Sequence, residues 1–291
     1  MDLRQIEYVV AVVDHGGFTR AADALGVAQP SLSQAVRRLE DDLRAPLFAR
    51  LGRTVRLTDA GEAFLGPARQ LLRLAAEARD AVASHAELRT GRLDVASLPT
   101  LVADPLADLV GTFRARHPSV TVRVADASTA PGLLEMVRDG RCEIALTDSA
   151  VVADDLEMVI LGDQELVAVL PPGHPRPRGR LAIGALAVEP LVLTPPGTSV
   201  RVMVDNALAA IGASAVIAVE TAQREAIVPL VISGAGVSVL PAPMAYAAEA
   251  RGATIVGLEP RLWRGIGLVH RSRGLSPAAR AFVDIAVAHP V

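Results

Sequence analysis

The amino-acid sequence predicts an α/β protein of several domains: a small helical unit, one long helix, and a larger part in which strands alternate with helices. At 291 residues the chain is about twice the size of a usual domain. Helical periodicity dominates its first part, whereas short apolar runs alternate with helical segments in the rest. The predicted boundaries are 1–58 for the helical unit, 59–89 for the long helix and 90–291 for the alternating part.

Composition and charge exclude several classes of protein. The 29 basic and 32 acidic residues leave a net charge of −3, so any contact with nucleic acid must use a local patch. All of the basic residues are arginines. No apolar stretch reaches the ~18 residues of a membrane span, and the N-terminal residues lack the pattern of a signal peptide. We therefore expect a cytoplasmic protein with no membrane partner.

The single cysteine and the scattered histidines limit the expected chemistry. One thiol cannot form an intramolecular disulfide or a thiol-rich metal site, and the six histidines include no HxxxH or HExxH pair. We expect no metal and no cofactor. Cys142 is interpreted as a small buried side chain; redox sensing is the less favoured alternative, because no second cysteine can resolve an oxidised form.

The first part of the helical unit shows the pattern of two short helices. One apolar stripe recurs at steps of three and four residues, and it consists of Leu3, Ile6, Val10 and Val13. Gly16-Gly17 ends this first helix, and Thr19 is a candidate N-cap for a second helix that runs to Leu25. Gly26 then breaks the second helix.

A third helix is predicted to begin near Pro30, a residue that suits a first helical turn. Its buried stripe consists of Leu32, Val36, Leu39 and Leu43. Pro30, Gln34 and Arg37 lie on the opposite face, and they are flanked by Ser31, Ser33 and Arg38. A short helix, a glycine turn and a longer helix form the helix-turn-helix arrangement. Its second helix enters the major groove of DNA, where Gln reads adenine and Arg reads guanine.

The residues after the third helix indicate a small basic β-hairpin. The run from Thr54 to Leu57 alternates in polarity like a strand, and Gly52 lies at the turn before it. Between Arg44 and Thr58 the chain carries arginines at positions 44, 50, 53 and 56 and no acidic residue. Such a patch suits the phosphate backbone of DNA.

Two interpretations of the helical unit stay open on the helical pattern alone. Three-helix units are common, and arginines on solvated faces often bind nothing specific. The one-sided charge of the hairpin and the order of the elements favour a DNA-binding unit. The candidate DNA-binding residues are Thr19, Gln29, Pro30, Ser31, Ser33, Gln34, Arg37, Arg38, Arg50 and Arg53.

Three segments of this unit resemble the LysR-type transcriptional regulators. They are Phe18-Thr19-Arg20-Ala21-Ala22, Gln29-Pro30-Ser31-Leu32-Ser33-Gln34 and Leu47-Phe48-Ala49-Arg50. The resemblance implies an N-terminal winged helix-turn-helix domain in a transcription regulator whose promoter binding responds to a small molecule. RNA polymerase is a further partner expected of such a regulator. The pair Gln34-Ala35 departs from the family, because many members carry a basic residue there.

The segment from Asp59 to about Leu88 is predicted to be one long linker helix, capped by Thr58 or Asp59 and slightly bent at Pro67. A heptad seam runs along it through Phe64, Ala68, Leu71, Ala75, Ala78 and Val82. A helix that packs on its own domain would also bury such a seam. However, this seam is longer than an average helix of about 11–12 residues, and its length favours a homodimer. The resemblance also implies dimers, and homotetramers are common in the family. Two recognition helices about 34–36 Å apart require double-stranded DNA with inverted-repeat half-sites.

The alternating part is predicted to form two lobes. Strands that alternate with helices imply a mostly parallel sheet with crossover helices. The segments Gly140-Arg141-Cys142-Glu143-Ile144-Ala145-Leu146 and Ser233-Gly234-Ala235-Gly236-Val237 resemble the LysR-type effector domain, a two-lobed domain similar to periplasmic binding proteins. Lobe I is expected at 91–161 and 267–291, and lobe II at 162–266.

The resemblance implies a ligand between the lobes, and the sequence offers polar residues for it. Ligands of open α/β sheets bind beyond the carboxyl ends of strands and at helix N-termini, where hydroxyls and N–H groups hold an anion. We therefore expect a small carboxylate metabolite as the effector. Each hydroxyl could instead cap a helix, and Arg224 could lie on the surface. The candidates are Ser97, Thr100, Ser128, Thr129, Thr147, Thr198, Ser199, Thr221 and Arg224.

A cytoplasmic small-molecule-binding protein or an enzyme on the same clamp fold is the alternative function. An enzyme needs a nucleophile with its base, a metal cluster or a cofactor loop, and the sequence has no GxSxG, no P-loop and no GxGxxG after a strand. A pure binding protein has no use for residues 1–90. We therefore expect a regulator and not an enzyme.

Overall fold

The computed structural model describes residues 1–51, 54–83, 91–151, 154–272 and 274–289. It contains a helical N-terminal domain with a hairpin, one long helix and a two-lobed α/β domain, so the predicted fold class is confirmed. Arg53 and the side chains of Arg50 and Val82, which the sequence analysis singled out, lie outside the described part of the chain.

The N-terminal domain consists of α1 (Leu3–Asp14), α2 (Phe18–Leu25), α3 (Gln29–Leu43) and the antiparallel strands β1 (Phe48–Leu51) and β2 (Thr54–Leu57), which form the wing. Asp2 and Gln5 form a capping box at the start of α1. The N-cap of α2 is Gly17, so the assignment of Thr19 as N-cap was wrong. Gly17 has a φ of 149°, and this glycine conformation lets the helix begin at once after the turn. Thr19 therefore lies in the first turn of α2.

The linker helix α4 (Asp59–Ala83) starts as part of the N-terminal domain and continues across Pro67. Thr58 caps it, because Thr58 Oγ1 accepts a hydrogen bond from Gly61 N at 3.1 Å. A Cβ on Gly61 would lie 2.2 Å from the carbonyl oxygen of Leu47, so only glycine lets the helix start this close to the wing. Phe64 packs on the core of the N-terminal domain.

The C-terminal domain is built of strands and helices that largely alternate. Its strands are β3 (Gly91–Ser97), β4 (Val120–Asp126), β5 (Ile144–Asp148), β6 (Glu157–Leu170), β7 (Leu181–Ala182), β8 (Pro190–Leu193), β9 (Val216–Glu220), β10 (Ser238–Pro241) and β11 (Thr254–His270). Its α-helices are α5 (Pro99–Leu101), α6 (Ala107–Arg116), α7 (Ala130–Arg138), α8 (Ser199–Ala209), α9 (Ile227–Ile232), α10 (Ala242–Glu249) and α11 (Pro277–Ala288).

Two long strands, β6 and β11, cross between the lobes. The main sheet has the order β10-β6-β11-β5-β3-β4, and β11 pairs antiparallel with β6 while its last residues pair with β5. In lobe I, α6, α7 and α11 cover β3 and β5 around Phe113 and Phe282. In lobe II, α8 packs with β8 around Leu193 and Val204, and α9 and α10 pack on the other face. Each lobe thus has its own apolar core.

Five elements of the C-terminal domain differ from the sequence-based prediction, which places strands at 166–170 and around 266–270. β6 begins earlier, at Glu157, and β11 begins earlier, at Thr254, whereas α5, β7 and α10 were not predicted. The crossing parts of β6 and β11 pair mainly with each other, and one side of them is partly exposed. Polar residues on that side interrupt the apolar runs from which strands were predicted. Pro243 suggests a turn, although a first helical turn accepts proline.

Among the described residues, no helix combines the length and the apolar character that crossing a bilayer requires. Within the same ranges, no three His, Cys, Asp or Glu side chains lie together in a group that could hold a metal ion.

Candidate functional site

Helix α3 presents one polar face to solvent. Leu32, Val36 and Leu39 are buried in the core of the N-terminal domain, which fixes the rotation of the helix. The opposite face is exposed, apart from the half-buried Ser33, and it carries Gln29, Pro30, Ser31, Ser33, Gln34, Arg37 and Arg38. Thr19, at the start of α2, is exposed as well. The helix therefore offers hydrogen-bonding groups and two guanidinium groups to a partner, as the periodicity predicted.

Hydrogen bonds hold the wing against α3. Glu40 in α3 accepts hydrogen bonds from Leu47 N at 2.7 Å and from Phe48 N at 3.1 Å through the same carboxylate oxygen. The rings of Phe48 and Phe18 pack edge to face with centroids 5.4 Å apart. Arg56 in β2 is exposed, so the wing adds a positive charge beside α3.

Two arginines of α4 fix the linker helix to both neighbouring domains. Arg69, whose side chain is 7% exposed, donates a hydrogen bond to Asp14 at the end of α1. A second terminal nitrogen of Arg69 lies 3.9 Å from Asp139 Oδ1 in lobe I. Arg73 donates a hydrogen bond to the carbonyl oxygen of Gly140. The N-terminal domain, α4 and lobe I are therefore joined through side chains of one helix.

A cleft lies between the two lobes and has a volume of about 430 Å³ when its open mouth is included. Five of the predicted effector-binding residues line it, and they come from both lobes: Thr100, Ser128, Thr198, Ser199 and Arg224. The rest of the lining is mostly apolar and consists of Leu98, Leu193, Thr194, Val200, Ile227, Ser238, Val239, Leu240 and Met244. The cleft thus combines an apolar body with a few polar groups, which is typical of small-molecule sites.

Several hydroxyls of the cleft already donate their protons within the protein. Thr198 Oγ1 donates to the carbonyl oxygen of Pro195 at 2.8 Å and lies 2.5 Å from Thr194 Oγ1. Ser238 Oγ donates to the carbonyl oxygen of Val192 at 2.7 Å. Toward the cleft, Thr198 and Ser238 are therefore acceptors rather than donors.

Arg224 brings a positive charge to the cleft. Its side chain is half-buried, and its Nε has no hydrogen-bond partner among the described residues. Burial lowers the pKa of the Arg224 guanidinium, and the nearby carboxylate of Asp126 opposes this shift. A guanidinium group stays protonated in proteins, so this shift leaves Arg224 cationic at neutral pH.

A buried polar network lies beneath the cleft on the crossing strands. Arg264 in β11 is 1% exposed, and it donates hydrogen bonds to Thr100 Oγ1 at 2.6 Å and to Gln164 Oε1. Asp148 lies 3.8 Å from Arg264 Nε and accepts a hydrogen bond from Ser199 Oγ at 2.9 Å. Burial raises the pKa of the Asp148 carboxyl, while the hydrogen bond from Ser199 and the charge of Arg264 oppose the rise. The network connects lobe I, the crossing strands and lobe II.

Four predicted effector-binding residues are not among those that line this cleft. Ser97 donates a hydrogen bond to the carbonyl oxygen of the next residue at 3.0 Å, and Thr221 accepts one from the N–H group two residues on at 3.1 Å. Thr147 is fully buried, with no hydrogen-bond partner for its hydroxyl in the described part of the chain. Thr129 is the N-cap residue of α7, although its side chain makes no capping bond. Local backbone bonds thus account for the first two hydroxyls.

The structure adds Thr194, Ser238, Arg264 and Asp148 to the polar groups at or beneath the cleft. Thr194 directly follows β8. Because ligands of open α/β sheets bind beyond the carboxyl ends of strands, its position could have identified it as a candidate. Ser238 begins β10, and its role depends on a bond to a different strand. Arg264 lies inside a long strand, where its sequence context suggests a solvated charge.

Cys142 is 1% exposed, as the sequence predicted for a buried side chain. Burial raises the pKa of its thiol to about 12, and the nearby Asp139 adds to this shift. The thiol is therefore protonated at neutral pH and is a poor nucleophile.

Comparison with known proteins identifies the family of both domains. Residues 3–62 match the bacterial regulatory helix-turn-helix protein of the lysR family, and residues 86–290 match the LysR substrate binding domain. The SDS degradation transcriptional activation protein of Pseudomonas sp. (strain ATCC 19151) is 34% identical over 291 residues, which cover 96% of this chain and 94% of that protein.

Solved structures of this fold cover nearly the whole chain. A full-length OxyR variant from Pseudomonas aeruginosa is 24% identical, covers 99% of this chain and 94% of its own, and superimposes with a TM-score of 0.77. Full-length CbnR in complex with its target DNA is 24% identical, covers 99% of this chain and 100% of its own, and has a TM-score of 0.66. The exposed face of α3 and the wing lie within residues 3–62, and the interlobe cleft is lined by residues within 86–290. The chain belongs to the LysR family of DNA-binding transcriptional regulators, with an N-terminal helix-turn-helix domain and a C-terminal effector-binding domain.

Proposed function

We propose that the cleft binds a small carboxylate metabolite and that this effector controls how the protein binds its promoter. One observation carries the choice of a carboxylate: Arg224 borders an otherwise mostly apolar cleft, and its Nε has no partner within the described residues. A guanidinium group recognises a carboxylate through paired hydrogen bonds. Ser128, exposed on the facing lobe, is a second donor for the same group.

The apolar lining defines the rest of the ligand. Leu98, Val239 and Met244 suit a hydrocarbon body, whereas Thr100 accepts a hydrogen bond from Arg264 and keeps its own proton for the ligand. The effector controls DNA binding only if its affinity differs between two arrangements of the regulator. The contacts of α4 with lobe I supply a route, because lobe I and the DNA-binding domain share that helix.

Thermal unfolding with benzoate, pyruvate and butyrate as probes tests the carboxylate. We expect at least one of them to raise the melting temperature of the protein, and Arg224→Ala to abolish that rise. Arg261→Ala, which removes an exposed arginine of lobe II, is the matched control and keeps the rise. A probe that stabilises Arg224→Ala as much as the parent protein would remove Arg224 from the site.

We further propose that the protein binds an operator with inverted half-sites as a homodimer formed through α4. The N-terminal half of α4 packs within the protomer, since Ala68 is buried, but Leu71 and Leu74 farther along are 40% and 48% exposed. An apolar strip of this kind on a helix suits a second copy of the same helix. A tetramer of two such dimers and contact with RNA polymerase are expected from the family, and mass photometry and co-sedimentation with the polymerase test them.

A further inference from the structure

A carboxylate of lobe I lies at the lobe II helix that borders the cleft. Asp148, the last residue of β5, accepts a hydrogen bond from Ser199 Oγ at 2.9 Å. Ser199 is the first residue of α8, and the first intrahelical hydrogen bond runs from Val202 N to Thr198 O at 2.9 Å. The N–H groups of the first turn therefore have no helical acceptor. A negative charge is stabilised at such a helix start.

A buried guanidinium group supports the same carboxylate from below. Arg264 is 1% exposed, and its Nε, which has no hydrogen-bond partner within the described residues, lies 3.8 Å from Asp148 Oδ1. The terminal nitrogens of Arg264 are held by Thr100 and Gln164. Asp148 therefore lies at ion-pair distance from a buried cation.

We propose that this end of the cleft is a carboxylate-binding subsite that the protein fills with its own Asp148. In the effector-free protein, the bond from Ser199 to Asp148 joins lobe II to lobe I and holds the cleft closed. An external carboxylate reaches the start of α8 only after Asp148 has left it. This inference rests on the proposed function in one respect: it assumes that the effector binds in the cleft.

The occupied subsite also restricts the charge of the effector. With Asp148 in place, a carboxylate on the effector is directed to Arg224 and Ser128, the polar lining residues to which the proposed function assigns it. A second carboxylate at Ser199 would meet the charge of Asp148, and like charges at such a distance repel. The closed cleft therefore selects a ligand with one carboxylate.

The reactivity of a cysteine placed in the cleft measures closure without any effector. Ser238 lines the cleft and is 0% exposed, so a thiol introduced by Ser238→Cys reacts with a disulfide reagent only when the cleft opens. The native thiol of Cys142 adds little background, because it is buried with a pKa of about 12. We expect Asp148→Ala in this background to raise the reaction rate about tenfold, as the loss of a hydrogen bond to a charged group implies.

Chemical rescue then tests the subsite itself. Acetate added to the Asp148→Ala variant should fill the vacated position and slow the reaction toward the parent rate, whereas chloride at the same ionic strength should not. The parent protein, whose subsite is occupied, should not respond to acetate. Asp148→Asn is the conservative control: its amide oxygen still accepts a hydrogen bond from Ser199, so we expect a rate near the parent rate and no response to acetate.

A second variant keeps the test valid if Asp148→Ala does not fold. Ser199→Ala should raise the reaction rate in the same background but give no response to acetate, since Asp148 is still present. Ser233→Ala, on the lobe II surface with only a local bond, is its control. Rates unchanged by both Asp148→Ala and Ser199→Ala, or acetate and chloride acting alike on Asp148→Ala, would overturn the proposal. Every protein in this assay, including the parent, also carries Arg224→Ala, so acetate cannot bind at the proposed effector group. Failure of the proposed effector class therefore appears in the Arg224 experiment and not here.

Discussion

Arg69 in α4 donates a hydrogen bond to Asp14 at the end of α1, and this bond joins the linker helix to the DNA-binding domain. The two partners differ in exposure, since 7% of the Arg69 side chain and 49% of the Asp14 side chain are accessible. If Asp14 is removed, the buried guanidinium group of Arg69 loses its hydrogen bond to a carboxylate. The carboxylate of Asp139 lies farther away, at 3.9 Å. An exposed aspartate thus has a structural role that its own exposure does not suggest.

The pair predicts an uneven response to mutation. We expect Asp14→Ala to lower the free energy of unfolding by about 1–3 kcal/mol, because it leaves a buried charged donor without its hydrogen bond. Urea unfolding measures this change. Asp23→Ala, which removes an exposed aspartate of α2, is the matched control and should change the free energy by less than about 0.5 kcal/mol. Equal effects of the two substitutions would show that the bond is not formed in solution.

Arginines of the recognition helix and of the wing should differ in how they affect DNA binding. Arg37→Ala should weaken binding to the operator by about 1–3 kcal/mol and leave binding to unrelated DNA nearly unchanged. Arg56→Ala should weaken both by similar amounts and make the dependence on salt shallower, because a phosphate contact is lost. Fluorescence anisotropy titrations at several salt concentrations separate the two. The opposite pattern would exchange the assigned roles of helix and wing.

The exposed leucines of α4 should control assembly. Leu71→Glu together with Leu74→Glu places charge on the apolar strip, and we expect the protein to become monomeric in analytical ultracentrifugation. Affinity for the operator should fall when the dimer is lost, because a single recognition helix then binds alone. Val202→Glu, at an exposed apolar position of lobe II, is the control. A double variant that remains dimeric would exclude α4 as the dimer interface.

The Asp148 carboxyl should make stability depend on pH. Burial raises its pKa in the folded protein above the ordinary value of 3.8, so the folded state binds the proton more tightly than the unfolded state. Its contribution is therefore fully present below the unfolded pKa and is lost as pH rises through the folded pKa. Asp148→Asn should accordingly be more stable than the parent protein near neutral pH, and the difference should vanish below about pH 4.

Thermal unfolding across this pH range checks the sign of the Asp148 effect. Asp154→Asn, which changes an exposed aspartate of lobe I, is the matched control. Greater stability of the parent protein at neutral pH would mean that Arg264 and Ser199 stabilise the charged carboxylate by more than burial destabilises it.

Local patterns predicted the exposed face of α3 better than they predicted the lining of the cleft. The exposed face of α3 follows from its own apolar period, because the buried stripe at Leu32, Val36 and Leu39 fixes which residues face outward. The cleft depends on contacts between segments far apart in the chain. Arg264 meets Thr100 across 164 positions, and neither residue carries a local sign of the other. Residues at strand ends and helix starts, such as Thr198 and Ser199, could still be predicted, since topology brings those ends together.

The limits of the sequence are also visible in the linker helix. Its seam predicts one continuous apolar face, but Phe64 and Ala68 are used within the protomer while Leu71 stays exposed. The change occurs where α4 leaves the N-terminal domain and meets lobe I at Gly140. A heptad pattern records which positions are apolar, and the partner that covers each position depends on tertiary contacts.

A footprint of the full-length protein on the DNA upstream of its own gene tests the central claim most directly. If two copies joined through α4 place their recognition helices in successive major grooves, the protein protects two inverted half-sites about 10 base pairs apart, centre to centre. A single protected half-site, or no protection at low salt, would contradict the account.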